Sequence, residues 1–176
     1  MGPLQRDLPL KEGAALMERA FSYGVNFLDT AEIYGTYPHV KQALKIKPDT
    51  VVCTKSYSYD TLTAEESWTK AVKGIGREYI DIYLLHEQES EYTLKGHREA
   101  IEYFLKKQQQ GLIGAFGVST HFIRCVEATL KYPEISVVFP LINKAGIGIA
   151  DGTREGMENA IKAAYDSGKG IFAMKP

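Results

Sequence analysis

Tyr79-Ile80-Asp81-Ile82-Tyr83-Leu84-Leu85-His86 is apolar almost throughout, is interrupted by one aspartate, and stops at a histidine. A run of this length, rich in β-formers, reads as a strand covered on both faces. The same form recurs along the chain. Val25 to Leu28 ends at Asp29, Val51 to Thr54 at Lys55, and Gly114 to Val118 at Ser119; Ile135 to Ile142 runs up to Asn143, and Gly170 to Met174 is the last such run. Between these runs lie amphipathic stretches: Lys11 to Tyr23, with Leu16, Ala20 and Tyr23 on one face, His39 to Leu44, Thr63 to Ile75, Tyr92 to Gln110, Phe122 to Lys131 and Arg154 to Asp166. Thr63 followed by Glu66 reads as a capping box opening the third of them. Alternation of strand and helix implies parallel strands joined by crossover helices. An open doubly wound sheet and a closed barrel both satisfy that order. The open sheet would carry Gly-x-Gly-x-x-Gly after a strand, and Gly146-Ile147-Gly148 lacks the third glycine. The barrel places polar residues at the carboxyl ends of its strands. The reading is therefore α/β, a (β/α)8 TIM-type barrel with about six of its eight βα units in this chain, residues 1–176 forming one incomplete domain.

Composition narrows the function. The formal net charge is −1, with basic residues spread evenly, which gives nucleic acid no electrostatic footprint. No apolar run approaches the roughly 20 residues that span a bilayer, and the first residues are polar, unlike a signal peptide. Two cysteines, Cys53 and Cys125, provide neither a disulfide framework nor a zinc motif. The expectation is a reduced, cytoplasmic protein with Cys53 buried.

Asp29, Lys55 and His86 end three different strands, and Tyr34 lies on the loop after Asp29. In a barrel all four meet at one face. A tyrosine has an ordinary pKa near 10, and an adjacent ammonium should lower it. An aspartate would keep that lysine charged, and a histidine can bond a carbonyl oxygen as negative charge develops there. Together these groups describe an acid and an oxyanion clamp for a carbonyl. Singly, each has an ordinary structural explanation: Asp29 as a turn cap, Tyr34 as packing. A metal reading of His86 with Glu87 and Glu89 lacks three convergent ligands, so no metal is expected. His39, His97 and His121 read as surface or supporting groups, and Tyr57 and Tyr59 as rims of a substrate mouth.

Leu28-Asp29-Thr30-Ala31-Glu32-Ile33-Tyr34-Gly35, Thr54-Lys55, Asp81 to His86 and Gly117-Val118-Ser119-Thr120 resemble, in order, the signatures of the aldo-keto reductases. Pro140 to Lys144 and Ala173 to Pro176 resemble a bacterial branch of them. The resemblance implies an aldehyde or ketone as small-molecule substrate and NADPH as hydride donor, with NADH as the alternative. It makes Tyr34 the general acid, Lys55 and Asp29 its tuners, and His86 the carbonyl-orienting group. Ser119, Thr120, Asn143, Met174 and Lys175 become the cofactor contacts. Three positions depart from the family pattern: Thr120 stands for an asparagine, Phe139 for a glutamine and Met174 for a tyrosine that stacks on nicotinamide. A complete barrel of this class has about 250 residues or more, so the first and last strands are expected to lie outside this chain. If the chain is complete as it stands, closure by a second copy is the expectation. The rival functions are a non-catalytic nicotinamide-binding barrel, acting as sensor or regulatory subunit, and a metal-assisted hydrolase or lyase using Asp29 and His86.

Overall fold

The structure, a computed structural model, describes residues 8–175. Six parallel strands lie in one sheet: β1 (Phe27–Asp29), β2 (Val51–Ser56), β3 (Ile80–Leu85), β4 (Ile113–Thr120), β5 (Val137–Pro140) and β6 (Gly170–Ile171). Their spatial order is their chain order, β1-β2-β3-β4-β5-β6. That order separates the two candidate architectures. A doubly wound sheet reverses direction at a switch point, whereas a barrel wall adds each strand on the same side. The ends of the arc also approach one another inside it: Phe27 of β1 and Phe172, just past β6, are in edge contact at 5.2 Å between ring centroids. The fold is six strands of a (β/α)8 wall.

Helices cover the outside: α1 (Leu10–Ser22), α2 (Tyr37–Ile46), α3 (Thr61–Ile75), α4 (Glu91–Gly96), α5 (Arg98–Gln109), α6 (Ile123–Thr129) and α7 (Arg154–Asp166). The period-two alternation of each strand divides its side chains between two cores. Outward residues such as Val52, Tyr83, Leu85, Phe116, Val118 and Val138 pack under the helices. The inward set is smaller: Cys53, Leu84, Val137 and Phe139, with Phe27, Ile82, Ala115, Phe172 and Met174 against them. Gly117 belongs to the inward series, and a methyl group there would run into the Val137 carbonyl. Continuing the inward series one step toward the carboxyl ends gives Asp29 after Phe27, Lys55 after Cys53, His86 after Leu84 and Ser119 after Gly117.

Asp81, the break in the apolar run, ties down the opposite end of the wall. Its carboxylate accepts from the Val52 N–H at 2.8 Å and pairs with Arg77, in the connection just before β3.

Several local expectations are corrected. The cap of α3 is Asp60, not Thr63. The Asp60 carboxylate accepts from the Thr63 N–H at 2.8 Å, and Thr63 is the third helical residue whose hydroxyl reaches back to the cap. The stretch Tyr92 to Gln110 is two helices, because the chain turns at His97, whose Nδ1 pairs with the Gln88 amide oxygen at 3.0 Å. Leu16 and Tyr23 are exposed; α1 instead buries Gly13 and Met17, the glycine allowing the His39 ring to approach its backbone. His39 is buried, its Nε2 bonded to the Leu8 carbonyl at 2.8 Å. The last two strands are shorter than expected and continue only as a bridge between Leu141 and Met174. Cys53 is fully buried, as expected.

If Asp60 is the cap, Asp60→Ala lowers stability by about 1 kcal/mol. Thermal or urea unfolding measures this, and an unchanged midpoint would return the cap to Thr63.

Candidate active site

The centre of the site is a buried ammonium. Lys55 is 1% exposed, and its Nζ donates to Asp29 Oδ1 at 2.6 Å and to the Thr30 carbonyl at 2.7 Å. A charge removed from water to this extent requires compensation. The compensation comes from β1, the neighbouring strand, where the inward register delivers Asp29. Partial burial raises the Asp29 carboxyl above the usual carboxylate value, while the Lys55 charge pulls it the other way. The Lys55 Nζ also stands 5.2 Å from the ring centroids of both Tyr34 and Phe139.

Tyr34 is carried on a single 3-10 turn, Glu32–Tyr34, closed by Gly35 at φ 63°. That left-handed residue ends the turn where a side chain would be strained. The Tyr34 hydroxyl comes within 3.4 Å of His86 Nε2, and the two rings meet edge-on. At 3.4 Å the contact is long for a hydrogen bond. Asp29, Tyr34, Lys55 and His86, read from four separate stretches of sequence, thus form one cluster.

Their electrostatics differ in part from the sequence expectation. Lys55 does not lower the Tyr34 phenol. Burial, followed by the Asp29 and Glu87 carboxylates, pushes it up to about 12. The physical reason is that burial removes water from the phenolate, a cost that outweighs the nearby ammonium. Tyr34 therefore keeps its proton at neutral pH and can donate it. His86 is 4% exposed; burial first, then the Lys55 charge, brings its pKa down to about 4. It is a neutral imidazole at pH 7.

The five expected cofactor contacts separate into two groups. Ser119 and Thr120 are fully buried, with their hydroxyls engaged. Ser119 Oγ accepts from the Glu87 N–H at 2.9 Å, and Thr120 Oγ1 from the Phe122 N–H at 2.9 Å. Asn143 folds the loop after β5, its amide bonded to the backbones of Ala145 and Ile147. Met174 packs with Phe139 and Phe172 on the inner core, and exposed Lys175 places its Nζ 3.4 Å from His121 Nε2. Phe139 and Phe172 stack at 4.1 Å. This leaves an apolar platform beside Lys55.

Tyr57 belongs to the site more closely than a rim residue would. Its ring stacks on His86 at 4.6 Å, and its hydroxyl donates to the Glu87 carboxylate. Tyr59 is exposed, and its backbone N–H donates to the Thr63 hydroxyl at the start of α3. A cleft of about 320 Å³ beside His86 is lined by Tyr57, Glu87, His97, His121 and Phe122 among others. The sequence signal for Tyr57 was its place two residues after Lys55; nothing in the sequence marked Glu87 as its partner. Among the described residues no group of three or more His, Cys, Asp or Glu side chains is arranged to hold a metal ion, and no helix is long and apolar enough to cross a membrane.

A wall of parallel strands with a phenol, a buried ion pair and a neutral imidazole at its carboxyl ends has the arrangement of a TIM-type barrel. Residues 4–174 match the Aldo/keto reductase family, and the chain belongs to that family. The chain is 25% identical over 175 residues to the methylglyoxal reductase DkgA of Escherichia coli, covering 94% of this chain and 63% of that protein. It is 30% identical over 129 residues to an NADPH-dependent alpha-keto amide reductase of Saccharomyces cerevisiae, covering 69% of this chain and 40% of the yeast protein. Among solved structures, an aldo-keto reductase of Bombyx mori in complex with NADP superposes with a TM-score of 0.75 at 18% identity, over 99% of this chain and 60% of the other. A holo aldo-keto reductase of Bacillus halodurans gives 0.77 at 20%, over 94% and 57%. The chain thus spans 63% and 40% of the lengths of these two curated relatives.

The depressed pKa of His86 has a consequence for stability. An unfolded histidine titrates near 6.5 and the folded one near 4. Between those values the unfolded state binds more protons, so stability falls as pH falls through that window. His86→Gln should remove about 2–3 kcal/mol of that acid loss between pH 6.5 and pH 4. Urea melts of both proteins across that range measure it; parallel pH curves would contradict a buried, neutral His86.

Proposed function

We propose that this chain reduces an aldehyde or ketone to the alcohol, with NADPH as donor and NADH as the weaker alternative. The observation that carries the reading is the convergence of the Tyr34 hydroxyl and His86 Nε2, 3.4 Å apart, beside the Lys55–Asp29 pair. One carbonyl oxygen can accept from both. Tyr34, protonated at neutral pH, gives its proton to that oxygen, and neutral His86 donates Nε2–H to it and fixes its direction. Lys55, held by Asp29 and Thr30, supplies positive charge behind the tyrosine ring as the phenolate forms. NADPH, when bound, would supply hydride to the carbonyl carbon, which with the Tyr34 proton gives the alcohol. By microscopic reversibility Tyr34 is the base in alcohol oxidation.

The residues present fit the cofactor in part. The platform of Phe139, Phe172 and Met174 offers an apolar face for the nicotinamide ring, and the methionine sulfur packs well against such a ring. Asn143 and Lys175 stand at the rim, the lysine available to a phosphate. Ser119 and Thr120 contribute by fixing the ends of the neighbouring loops, since their hydroxyls are already bonded. The relatives support the reading by name: a methylglyoxal reductase, an NADPH-dependent alpha-keto amide reductase and a structure with NADP.

The test combines fluorescence titration with NADPH and turnover of methylglyoxal. Tyr34→Phe should lower kcat by about 100-fold or more while the Kd for NADPH stays close to that of the parent chain. A Tyr34→Phe variant that turns over at the parental rate would refute Tyr34 as the acid. A folded parent chain that binds NADPH and reduces no carbonyl would favour the non-catalytic barrel instead.

A further inference from the structure

His86 is more weakly anchored by hydrogen bonds than its role requires. Among the described residues its ring makes one polar contact, the 3.4 Å approach of Nε2 to the Tyr34 hydroxyl. Nδ1 is buried and no protein group among the described residues bonds it. An orienting histidine is ordinarily held in one tautomer and one rotamer by a partner on its second nitrogen. Here the restraint comes from the ring faces. Tyr57 lies over the imidazole at 4.6 Å with an angle of 27° between planes, and Tyr34 meets it edge-on at 5.7 Å and 77°.

Tyr57 is itself 43% exposed, so core packing does not hold it. Its hydroxyl is tied to Glu87. Glu87 in turn has a φ of 50°, a left-handed conformation unusual for a residue with a side chain. Two bonds to the end of β4 maintain it: the Glu87 N–H to Ser119 Oγ at 2.9 Å and the Gln88 N–H to the Ser119 carbonyl at 2.8 Å. A backbone held in a sparsely populated region points to a function. The strained turn sets the exposed Glu87 carboxylate against the Tyr57 hydroxyl. The restraint therefore runs from Ser119 to Glu87, from Glu87 to Tyr57, and from Tyr57 to the His86 ring.

We infer that Tyr57 is a positioning residue for the reaction, clamped by Glu87 over His86 so that the imidazole keeps Nε2–H directed at the carbonyl oxygen. The inference rests on the proposed reading of His86 as the carbonyl-orienting group. The unbonded Nδ1 is consistent with it, since a bare lone pair is easier to bury there than a second N–H. The simpler alternative is that Tyr57 only walls the cleft, in which case it affects substrate affinity and leaves the imidazole alone.

Nitrogen NMR of the full chain with 15N-labelled histidine distinguishes them. The chain has four histidines, and His86→Gln assigns the His86 signals by their loss. The parent chain should show His86 as a single neutral tautomer protonated at Nε2. Tyr57→Leu should broaden those signals or average them between tautomers. Tyr57→Phe, which keeps the ring and loses the tie to Glu87, should fall between the two, and Glu87→Gln should move in the same direction. With methylglyoxal and NADPH, Tyr57→Leu should lower kcat by about 10- to 100-fold, the scale of a misplaced catalytic group, with KM little changed. His86 signals unchanged in Tyr57→Leu, with a raised KM alone, would overturn the inference. Should Tyr57→Leu fail to fold, Tyr57→Phe and Glu87→Gln decide it, and parental His86 signals in both would overturn it. The NMR result holds whether or not the parent chain turns over methylglyoxal, so failure of the reductase reading remains separate from failure of the clamp.

Discussion

The ammonium of Lys55 is the constraint around which the upper half of this molecule is arranged. A lysine 1% exposed at the end of a central strand is tolerable only with a carboxylate and a carbonyl within bonding distance. Both come from the same two residues of chain, Asp29 and Thr30, which commits β1 to its register against β2. With β1 so placed, the 3-10 turn that follows has one place to go, and it brings Tyr34 over the ion pair. The inner wall below is apolar, so the charge has no route to water except through the cluster it serves.

The electrostatic outcome is a division of labour between neutral groups. Tyr34 is held protonated by burial and by the Asp29 and Glu87 carboxylates, and His86 is held unprotonated by burial and by Lys55. Each can offer one hydrogen to a shared acceptor, and neither carries a full charge. The one full positive charge in the cluster is already balanced by Asp29. On the proposed reading, a site of this kind acts on a polar uncharged bond and responds to charge only as it develops.

Much of this was legible in the sequence because strand ends announce themselves. An apolar run that stops at Asp29, Lys55 or His86 states both a strand and the location of its polar tip, and the order of the sheet agrees with the barrel read from those tips. What the sequence did not convey was choice among equivalent neighbours. Asp60 and Thr63 are both good caps three residues apart, and geometry alone decides that the first leads and the second answers. The buried face of α1 escaped the apolar pattern because Gly13, a residue with no side chain, is what admits His39. The break at His97 depends on the distant Gln88. The raised Tyr34 pKa depends on burial of the phenol and on the Asp29 and Glu87 carboxylates that the fold brings near it. Tyr57 was visible as an aromatic near the site, but its tie to Glu87 spans two strands and leaves no mark in local sequence.

The alternation that supplies the site also determines where the chain can change length. Asp29, Lys55, His86 and Ser119 are each the next inward step of a strand whose earlier inward steps build the inner core. A residue inserted or lost within any of those strands would turn its tip toward the helices and turn an outward core residue into the site. The same insertion in the connections at the amino-terminal ends of the strands would leave every tip where it is. Variation in such a chain is therefore partitioned by geometry: the strands admit replacement without change of length, and growth or shrinkage is confined to the connections.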